Sequence, residues 1–344
     1  MHRSALWRAT LLTSALALVS SAHLVAQSPH AGVRLPSPPG RLVDIGGQRI
    51  HLNCTGRGSP TVVFENGAGD FSIIWSLVQP RISVLTRACS YDRAGYAWSD
   101  PGARPRTYDQ IALELHTALE RAGERGPYVL VGQSYGGLVV RGFAQRYAAE
   151  VRGLVLVDAV HEDQQITMGG KPQRIRDFAT GRVRPEPRIA ADSTLIALRR
   201  TGAAATLDTS ALEAPLDRLA RATQEIWRIA AADSVYRLSW AAEMDWSPEE
   251  LSRMHEQRTH DRATLGDLPL VVISRSPESP SDSLATERAA LQRDLVALSH
   301  RGTQVVAARA GHNIHLEDPD LVVQSVRKVI TTVRATASKP ARAR

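Results

Sequence analysis

One short stretch of this 344-residue sequence, residues 127–137, restricts the folds that the chain can adopt. It reads Pro-Tyr-Val-Leu-Val-Gly-Gln-Ser-Tyr-Gly-Gly. The apolar run before the serine has the length of a buried strand, and the apolar segment after it, Leu138 to Tyr147, is typical of a helix. A Gly-x-Ser-x-Gly pattern joins the two runs, so the sequence predicts a strand, a tight turn and a helix.

Ser134 lies at the tip of this predicted turn. Small neighbours at Gly132 and Gly136 tolerate a strained backbone, which turns the serine hydroxyl out of the sheet edge. The following helix directs its N-terminus and the Tyr135 amide towards the place where a negative oxygen would form. The pentapeptide alone is a loose pattern, but the flanking strand and helix favour Ser134 as a nucleophile.

The predicted strand, turn and helix resemble the α/β-hydrolase family, in particular its exported bacterial, esterase-like branch with a helical cap. The resemblance covers most of residues 40 to 330. It implies an α/β fold with a mostly parallel, doubly wound sheet flanked by helices. Residues 41–160 and 268–334 would form this core. Residues 161–267 lack strand-like runs and would form a helical cap, inserted after the strand that follows the nucleophile.

The cap region contains one local signal for the start of a helix. Ser247, Pro248 and Glu249-Glu250 offer a serine cap, a proline at the first helical position and a glutamate at the third. We expect a helix to begin there.

A serine hydroxyl is a weak nucleophile, so it needs a base and a carboxylate that orients the base. The family order along the chain is nucleophile, acid, histidine. His312 follows the last predicted strand and carries the Gly-His pair of the resemblance, and His315 is its nearest rival. The acid stays open. A minority of the family places it where Asp158 lies, whereas most of the family places it near Glu278 and Asp282, although Asp282 also suits a helix N-cap.

The predicted third strand ends in a glycine-containing turn, Glu65 to Gly69. In the family, a His-Gly-x turn at this place supplies one amide of the oxyanion hole. By that similarity the Ala68 N–H would join the Tyr135 N–H. Asn66 replaces the usual histidine, and a simple glycine turn leaving a strand is the alternative interpretation.

A second motif of the resemblance lies at residues 91–100, which read Tyr-Asp-Arg-Ala-Gly-Tyr-Ala-Trp-Ser-Asp. It is similar to the turn after the family's fourth strand. We interpret Asp92 and Gly95 as structural residues that brace the wall of the site.

The formal charge of +7 comes from the two ends of the chain. Residues 1–26 hold two arginines and no acid, and residues 329–344 hold four basic residues and no acid. Between them lie 36 basic and 35 acidic residues. The body is nearly neutral, which argues against a nucleic-acid partner. Residues 335–344 are predicted to be a disordered basic tail.

Residues 1–26 are typical of an export signal, because arginines precede an apolar run and small residues follow it. A membrane-spanning helix needs about 20 unbroken apolar residues, and Ser20 and Ser21 interrupt this run. We therefore expect a cleaved signal peptide, a linker at residues 27–40, a periplasmic or extracellular location, and no stable membrane insertion.

Cys54 and Cys89 are the only cysteines, too few and too far apart for a metal site. In the fold that the sequence resembles, the second and fourth strands are neighbours, which would bring the two sulfurs within reach. The resemblance thus implies a disulfide, which suits an oxidising compartment. Two separate buried thiols are the alternative.

The resemblance implies a serine hydrolase that cleaves small-molecule carboxylic esters through an acyl-enzyme, without cofactor or metal. An aminopeptidase or amidase, or a cofactor-free perhydrolase, would use the same triad. From another class, a binding protein for hydrophobic ligands would keep the fold and lose the chemistry. Epoxide hydrolysis and dehalogenation on this fold need a carboxylate nucleophile, so Ser134 disfavours both.

Overall fold

The computed structural model of the protein describes residues 34–201, 212–276 and 283–337. The predicted export signal, most of the predicted basic tail, and the acid candidates Glu278 and Asp282 lie outside the described residues.

Most of the apolar runs in the sequence form strands of a single eight-stranded sheet, and two further strands form a separate hairpin. The strands are β1 Arg41–Asp44, β2 Arg49–Thr55, β3 Thr61–Glu65, β4 Ala88–Tyr91, β5 Tyr128–Gln133, β6 Val151–Val157, β7 Gln165–Met168, β8 Lys171–Arg174, β9 Leu270–Arg275 and β10 Gly302–Ala307. The α-helices are α1 Gln79–Ser83, α2 Tyr108–Ala122, α3 Gly136–Arg146, α4 Ser193–Arg200, α5 Arg221–Ala232, α6 Ser234–His260, α7 Ser283–Asp294, α8 Ile314–Glu317 and α9 Pro319–Ala337.

The large sheet has the strand order β1-β2-β4-β3-β5-β6-β9-β10. Its first two pairings, β1 with β2 and β2 with β4, are antiparallel, and the strands from β4 to β10 pair in parallel. The carboxyl ends of parallel strands meet at one edge of a sheet. The loops after β3, β5, β6 and β10 therefore lie at the same edge, as the predicted fold class requires.

Both faces of the sheet are buried, which explains why its central strands are apolar without alternation. In β5, Val129 and Val131 pack with the apolar side of α9, whereas Tyr128 and Leu130 pack on the opposite face with residues such as Phe143 of α3. Each of these side chains is almost completely buried. The strand that carries the nucleophile candidate is thus held on both sides.

The predicted cap region, residues 161–267, differs from the expected all-helical insertion. It begins with the hairpin of β7 and β8, in which Met168 pairs with Lys171 across the two-residue loop Gly169-Gly170. Both glycines have positive φ, at 58° and 75°. Two-residue hairpin loops of this kind favour glycine for that reason. The expectation that residues 161–267 contain no strands is wrong.

The predicted helix start at Ser247 is also wrong. Helix α6 runs without a break from Ser234 to His260 and contains Pro248 in its interior. The Ser247 hydroxyl donates to the carbonyl of Glu243 one turn earlier (3.3 Å) instead of capping a new helix.

The predicted disulfide is present. Cys54 of β2 lies directly opposite Cys89 of β4 in the antiparallel register, and the two sulfurs are bonded. This covalent link ties the antiparallel edge of the sheet to its parallel part.

Two predicted boundaries are refined by the structure. The described part of the linker is packed against the core, since the carbonyl of Pro36 accepts a hydrogen bond from the indole of Trp98 (2.7 Å). Helix α9 continues to Ala337, into the segment predicted to be a disordered tail. Within the described ranges, no helix has the length and apolar character needed to cross a membrane.

A buried histidine joins the end of the linker to the core. His51 Nδ1 lies 2.8 Å from Asp92 Oδ2, and His51 Nε2 contacts the carbonyl of Pro39. Both partners are acceptors, so both ring nitrogens must carry protons. Burial alone lowers the pKa of His51, but the charge of Asp92 and the hydrogen bonds to Asp92 and Pro39 outweigh it and raise the pKa.

We therefore expect the stability contributed by His51 to depend on pH. The folded-state pKa is raised, so this contribution is complete below the unfolded value of 6.5 and is lost as the pH rises through the folded value. At pH 6, His51→Gln is expected to lower the free energy of unfolding by about 3 kcal/mol, since it leaves Asp92 buried and poorly paired. Urea denaturation between pH 6 and 9 should show this difference shrinking. The exposed His300 provides the control, His300→Gln. An equal pH dependence in the parent and in His51→Gln would contradict the assignment.

Candidate active site

The turn after β5 has the strained geometry that its sequence predicts. Ser134 adopts a φ of 52°, in the left-handed region. Its N–H donates to the carbonyl of Val157 (3.1 Å), and its carbonyl accepts from the N–H of Val160 (3.0 Å). A Cβ on Gly132 would lie 2.5 Å from the carbonyl oxygen of Gly136, so only glycine fits there. The backbone around Ser134 is thus fixed to the end of β6.

Three side chains from three separate loops form a continuous hydrogen-bonded chain. His312, between β10 and α8, places Nε2 2.9 Å from Ser134 Oγ. Its Nδ1 lies 2.6 Å from Oδ2 of Asp158. A proton on Nδ1 would be donated to the carboxylate, which leaves Nε2 free to accept the serine proton. The His312 side chain is 42% exposed, whereas that of Asp158 is 3% exposed. The serine end of the chain is therefore accessible, and the acid end is enclosed.

Asp158 is held firmly at the end of β6. It has a φ of 40°, and its N–H donates to the carbonyl of Ile273 (2.7 Å). Its Oδ1 accepts from the backbone N–H of Arg275 (3.3 Å), and the Arg275 Nε lies 3.5 Å from Oδ2. These contacts orient the carboxylate towards His312.

The structure brings together Ser134, His312 and Asp158 and excludes His315. His315 is completely buried, with its ring 4.9 Å from that of Trp75. Burial, with a smaller contribution from the charge of His312, lowers the pKa of His315 to about 3. Neither of its ring nitrogens has a hydrogen-bond partner among the described residues. His315 is thus a neutral core residue.

The two proposed oxyanion amides are unpaired. Tyr135 immediately precedes helix α3, where N–H groups have no partner within the helix. Ala68 is exposed and lies in the loop after β3. In the described part of the chain, neither N–H donates a hydrogen bond. Close packing joins the two segments, because a Cβ on Gly136 would lie 2.5 Å from the carbonyl oxygen of Asn66.

A half-buried carboxylate also lies beside the site. A Cβ on Gly67 would lie 3.2 Å from Oδ2 of Asp70, so this carboxylate lies against Gly67 in the loop after β3. Burial raises the pKa of Asp70 to about 6, against the opposing charges of Arg93 and His312. Asp70 is therefore an ionisable group within electrostatic reach of the histidine.

Sequence reasoning missed three residues around the site. Asp70 lies just beyond the glycine turn. Gln133 directly precedes the serine, and its amide lies 3.4 Å from the carbonyl oxygen of His312. Arg93 follows Asp92 in the motif that was interpreted as structural, and its side chain is completely buried. The sequence offered one signal for Arg93, namely a charged residue inside a recognised turn motif. The partners of Arg93 could not be inferred, because they are too far away in the sequence.

Comparisons with known proteins agree with this architecture. A curated AB hydrolase superfamily protein from Gibberella zeae is 24% identical over 287 residues, or 80% of this chain and 87% of that protein. A thermophilic esterase from Thermogutta terrifontis has a TM-score of 0.56 at 21% identity, covering 83% of this chain and 94% of the esterase. The epoxide hydrolase CorEH has a TM-score of 0.57 at 15% identity, covering 85% of this chain and 98% of the epoxide hydrolase.

Other relatives match only in part. A probable transporter from Hormonema carpetanum and an uncharacterized protein from Schizosaccharomyces pombe are each 33% identical, but the matches cover only 18% and 29% of those proteins. The model of the alpha/beta hydrolase family matches residues 62–325. Because this match includes well over half of the 344 residues, the chain belongs to the α/β-hydrolase family.

Proposed function

We propose that the protein hydrolyses carboxylic esters of small molecules through an acyl-enzyme intermediate. The observation that carries this proposal is the continuous contact from Ser134 through His312 to Asp158, at 2.9 and 2.6 Å. Both separations are hydrogen-bond distances, and each group has the neighbour that its role requires. The nucleophile is a serine, which suits acyl transfer and disfavours the carboxylate-dependent opening of epoxides.

In the proposed reaction, Ser134 Oγ attacks the ester carbonyl while His312 Nε2 takes its proton. The Asp158 carboxylate orients the ring and stabilises the imidazolium that forms. His312 then returns the proton to the departing alcohol as the carbon–oxygen bond breaks. In the second half, His312 takes a proton from water as the water oxygen attacks the acyl-serine. His312 then returns this proton to Ser134 Oγ as the bond to the acyl carbon breaks and the acid product leaves.

The negative oxygen of each tetrahedral intermediate would be stabilised by the N–H groups of Ala68 and Tyr135. Both amides are unpaired in the described structure, so each can donate without breaking an existing bond. The N-terminal end of α3 adds a favourable electrostatic field. Removing a single donor from such an arrangement typically lowers kcat by about 10²–10³-fold.

The proposal is tested by labelling with a fluorophosphonate, which phosphonylates an activated serine. We expect one adduct in the intact mass of the parent protein, and none in Ser134→Ala. Turnover of p-nitrophenyl esters should fall by about 10⁴-fold or more in Ser134→Ala, because the nucleophile is lost.

The matched control is Ser72→Ala. Ser72 Oγ lies 3.5 Å from Nδ1 of His51, which contacts Asp92, so these residues form a second grouping of serine, histidine and aspartate. They are fully or almost fully buried, so Ser72→Ala should keep both the label and the turnover. A parent protein without any adduct would exclude the hydrolase mechanism and favour a binding protein.

A second candidate activity is the cleavage of an amino-terminal residue. The observation that favours it is Asp70, whose carboxylate lies beside the site and would attract a substrate ammonium group. Faster turnover of amino-acid p-nitroanilides than of the p-nitrophenyl esters would favour this activity over ester hydrolysis.

We also propose that the protein is exported. The disulfide between Cys54 and Cys89 supports an oxidising compartment. The predicted signal at residues 1–26 supports the same destination. The mass of the protein isolated from an exporting host tests this point, because a mass that retains residues 1–26 would contradict cleavage.

A further inference from the structure

The buried guanidinium of Arg93 connects the cap to the loop after β3. Its Nε lies 3.0 Å from Glu243 Oε1, on cap helix α6. Its Nη1 lies 2.8 Å from Glu65 Oε1 and 2.9 Å from the carbonyl oxygen of Asn66. Its Nη2 lies 2.7 Å from the carbonyl oxygen of Gly67. All three nitrogens of the group are therefore engaged.

The contact with Gly67 acts on a particular peptide unit. The carbonyl of Gly67 and the N–H of Ala68 belong to the same planar group, and this peptide bond is trans. In a trans peptide the C=O and N–H point in opposite directions. A donor that fixes the Gly67 carbonyl on the buried side consequently fixes the Ala68 N–H on the other side. Because the donor is charged, the hydrogen bond is also stronger than one between neutral groups.

The two carboxylates around Arg93 are themselves fixed. Tyr91 donates to Glu65, and Tyr96 donates to Glu243 Oε2 (2.8 Å). All of these side chains are almost completely buried. Burying such charges is expensive, and apolar residues of similar volume often stabilise a protein equally well. A role beyond stability therefore deserves a test at this position.

We propose that Arg93 is a positioning residue for the oxyanion hole. Its guanidinium directs the Ala68 N–H towards the substrate carbonyl, and Glu243 of the cap helix holds the guanidinium in place. The inference rests on the proposed function, because it assigns Ala68 N–H to the oxyanion. According to this proposal, the oxyanion hole is complete only when helix α6 is packed on the core, because α6 carries Glu243.

A misdirected amide weakens binding of the tetrahedral intermediate more than binding of the planar ester. Arg93→Lys keeps the charge but loses the planar, forked donor geometry. We expect this variant to lower kcat by about 10–100-fold and to change KM by less than about threefold. Glu243→Gln keeps the shape of the partner and removes its charge, so a smaller loss of kcat, about 3–10-fold, is expected.

The decisive readout is the affinity for a boronic acid, which becomes tetrahedral on Ser134, compared with that for a planar product carboxylate. Arg93→Lys should weaken boronate binding by about the same factor as kcat and leave carboxylate binding nearly unchanged. Parental kcat and boronate affinity in a folded Arg93→Lys would overturn the proposal. If Arg93→Lys does not fold, Glu243→Gln is measured in its place. Unchanged kcat and boronate affinity in Glu243→Gln would then overturn the proposal.

Arg106 provides a matched control. It is also buried, and it makes a two-point contact with Glu114, at 2.7 and 2.9 Å, while none of its hydrogen bonds in the described structure goes to the loop after β3. Arg106→Lys should reduce stability and leave kcat and boronate affinity within about twofold of the parent. An equal loss of kcat in Arg106→Lys would attribute the effect to general destabilisation and refute the positioning role. Fluorophosphonate labelling of the parent decides the proposed function separately, since it uses no Arg93 variant.

Discussion

Asp158→Asn is expected to lower the kcat of ester hydrolysis on the order of 10⁴-fold with little change in stability. An asparagine side chain that offers its NH₂ to His312 Nδ1 makes that nitrogen an acceptor. The ring proton then moves to Nε2, which faces Ser134 and can no longer take its proton. Steady-state kinetics with p-nitrophenyl esters, together with urea denaturation of the same samples, measures both effects.

The same experiment decides among the carboxylates that the sequence left open. Glu278→Gln and Asp282→Asn are the controls, and both should retain turnover within about twofold, since Asp158 already supplies the acceptor for His312 Nδ1, at 2.6 Å. Loss of turnover in Asp282→Asn with normal turnover in Asp158→Asn would transfer the acid role to Asp282.

Gly136→Ala is expected to lower the free energy of unfolding by about 3 kcal/mol or more and to abolish turnover. The new Cβ would lie 2.5 Å from the carbonyl oxygen of Asn66 and 2.7 Å from that of Glu65. These are backbone atoms of β3 and the loop after it, so relief of the clash would separate the two proposed oxyanion amides.

Gly142→Ala, in the same helix, is the matched control. Its Cβ would meet only Tyr108 Cβ at 3.4 Å, an ordinary van der Waals contact. Replacing a glycine inside a helix with alanine should raise the free energy of unfolding by up to about 1 kcal/mol and leave turnover unchanged. Urea denaturation compares the two variants. Equal stability of Gly136→Ala and the parent would show that the turn is less tightly packed than these distances indicate.

Local sequence patterns predicted the parts of the site that depend on short-range geometry. Ser134 could be predicted because strand length, small neighbours and the following helix are all encoded within about 20 residues. The proposed acid could not be chosen in the same way. The proposal of Asp158 rests on its contact with His312, which lies 154 residues away in the chain.

The wrong predictions for the cap region also have physical causes that local sequence patterns do not reveal. Gly169-Gly170 is a hairpin signal, but the strands on either side are short and exposed, so they lack the apolar alternation that identifies strands. Pro248 resembles a helix start, yet α6 continues through it. Leu251 and Met254 of α6 pack against residues of α2 and α3, and this tertiary packing overrides the local preference. The contacts of Arg93 could not be predicted from the sequence, because its partner Glu243 lies 150 residues away in the chain.

The ion pair between Arg93 and Glu243 has a consequence for the history and the engineering of this protein. The predicted cap, residues 161–267, lies between two parts of the predicted core, and a segment in such a position is easily treated as an exchangeable module. Here the insertion supplies the counter-ion for a cation that belongs to the core. A foreign cap without that carboxylate would leave Arg93 short of a partner, at a cost of about 3–5 kcal/mol for a broken buried pair. Successful chimeras must therefore transplant Glu243 with the cap or replace Arg93 at the same time, and the two positions should change together among descendants of this chain.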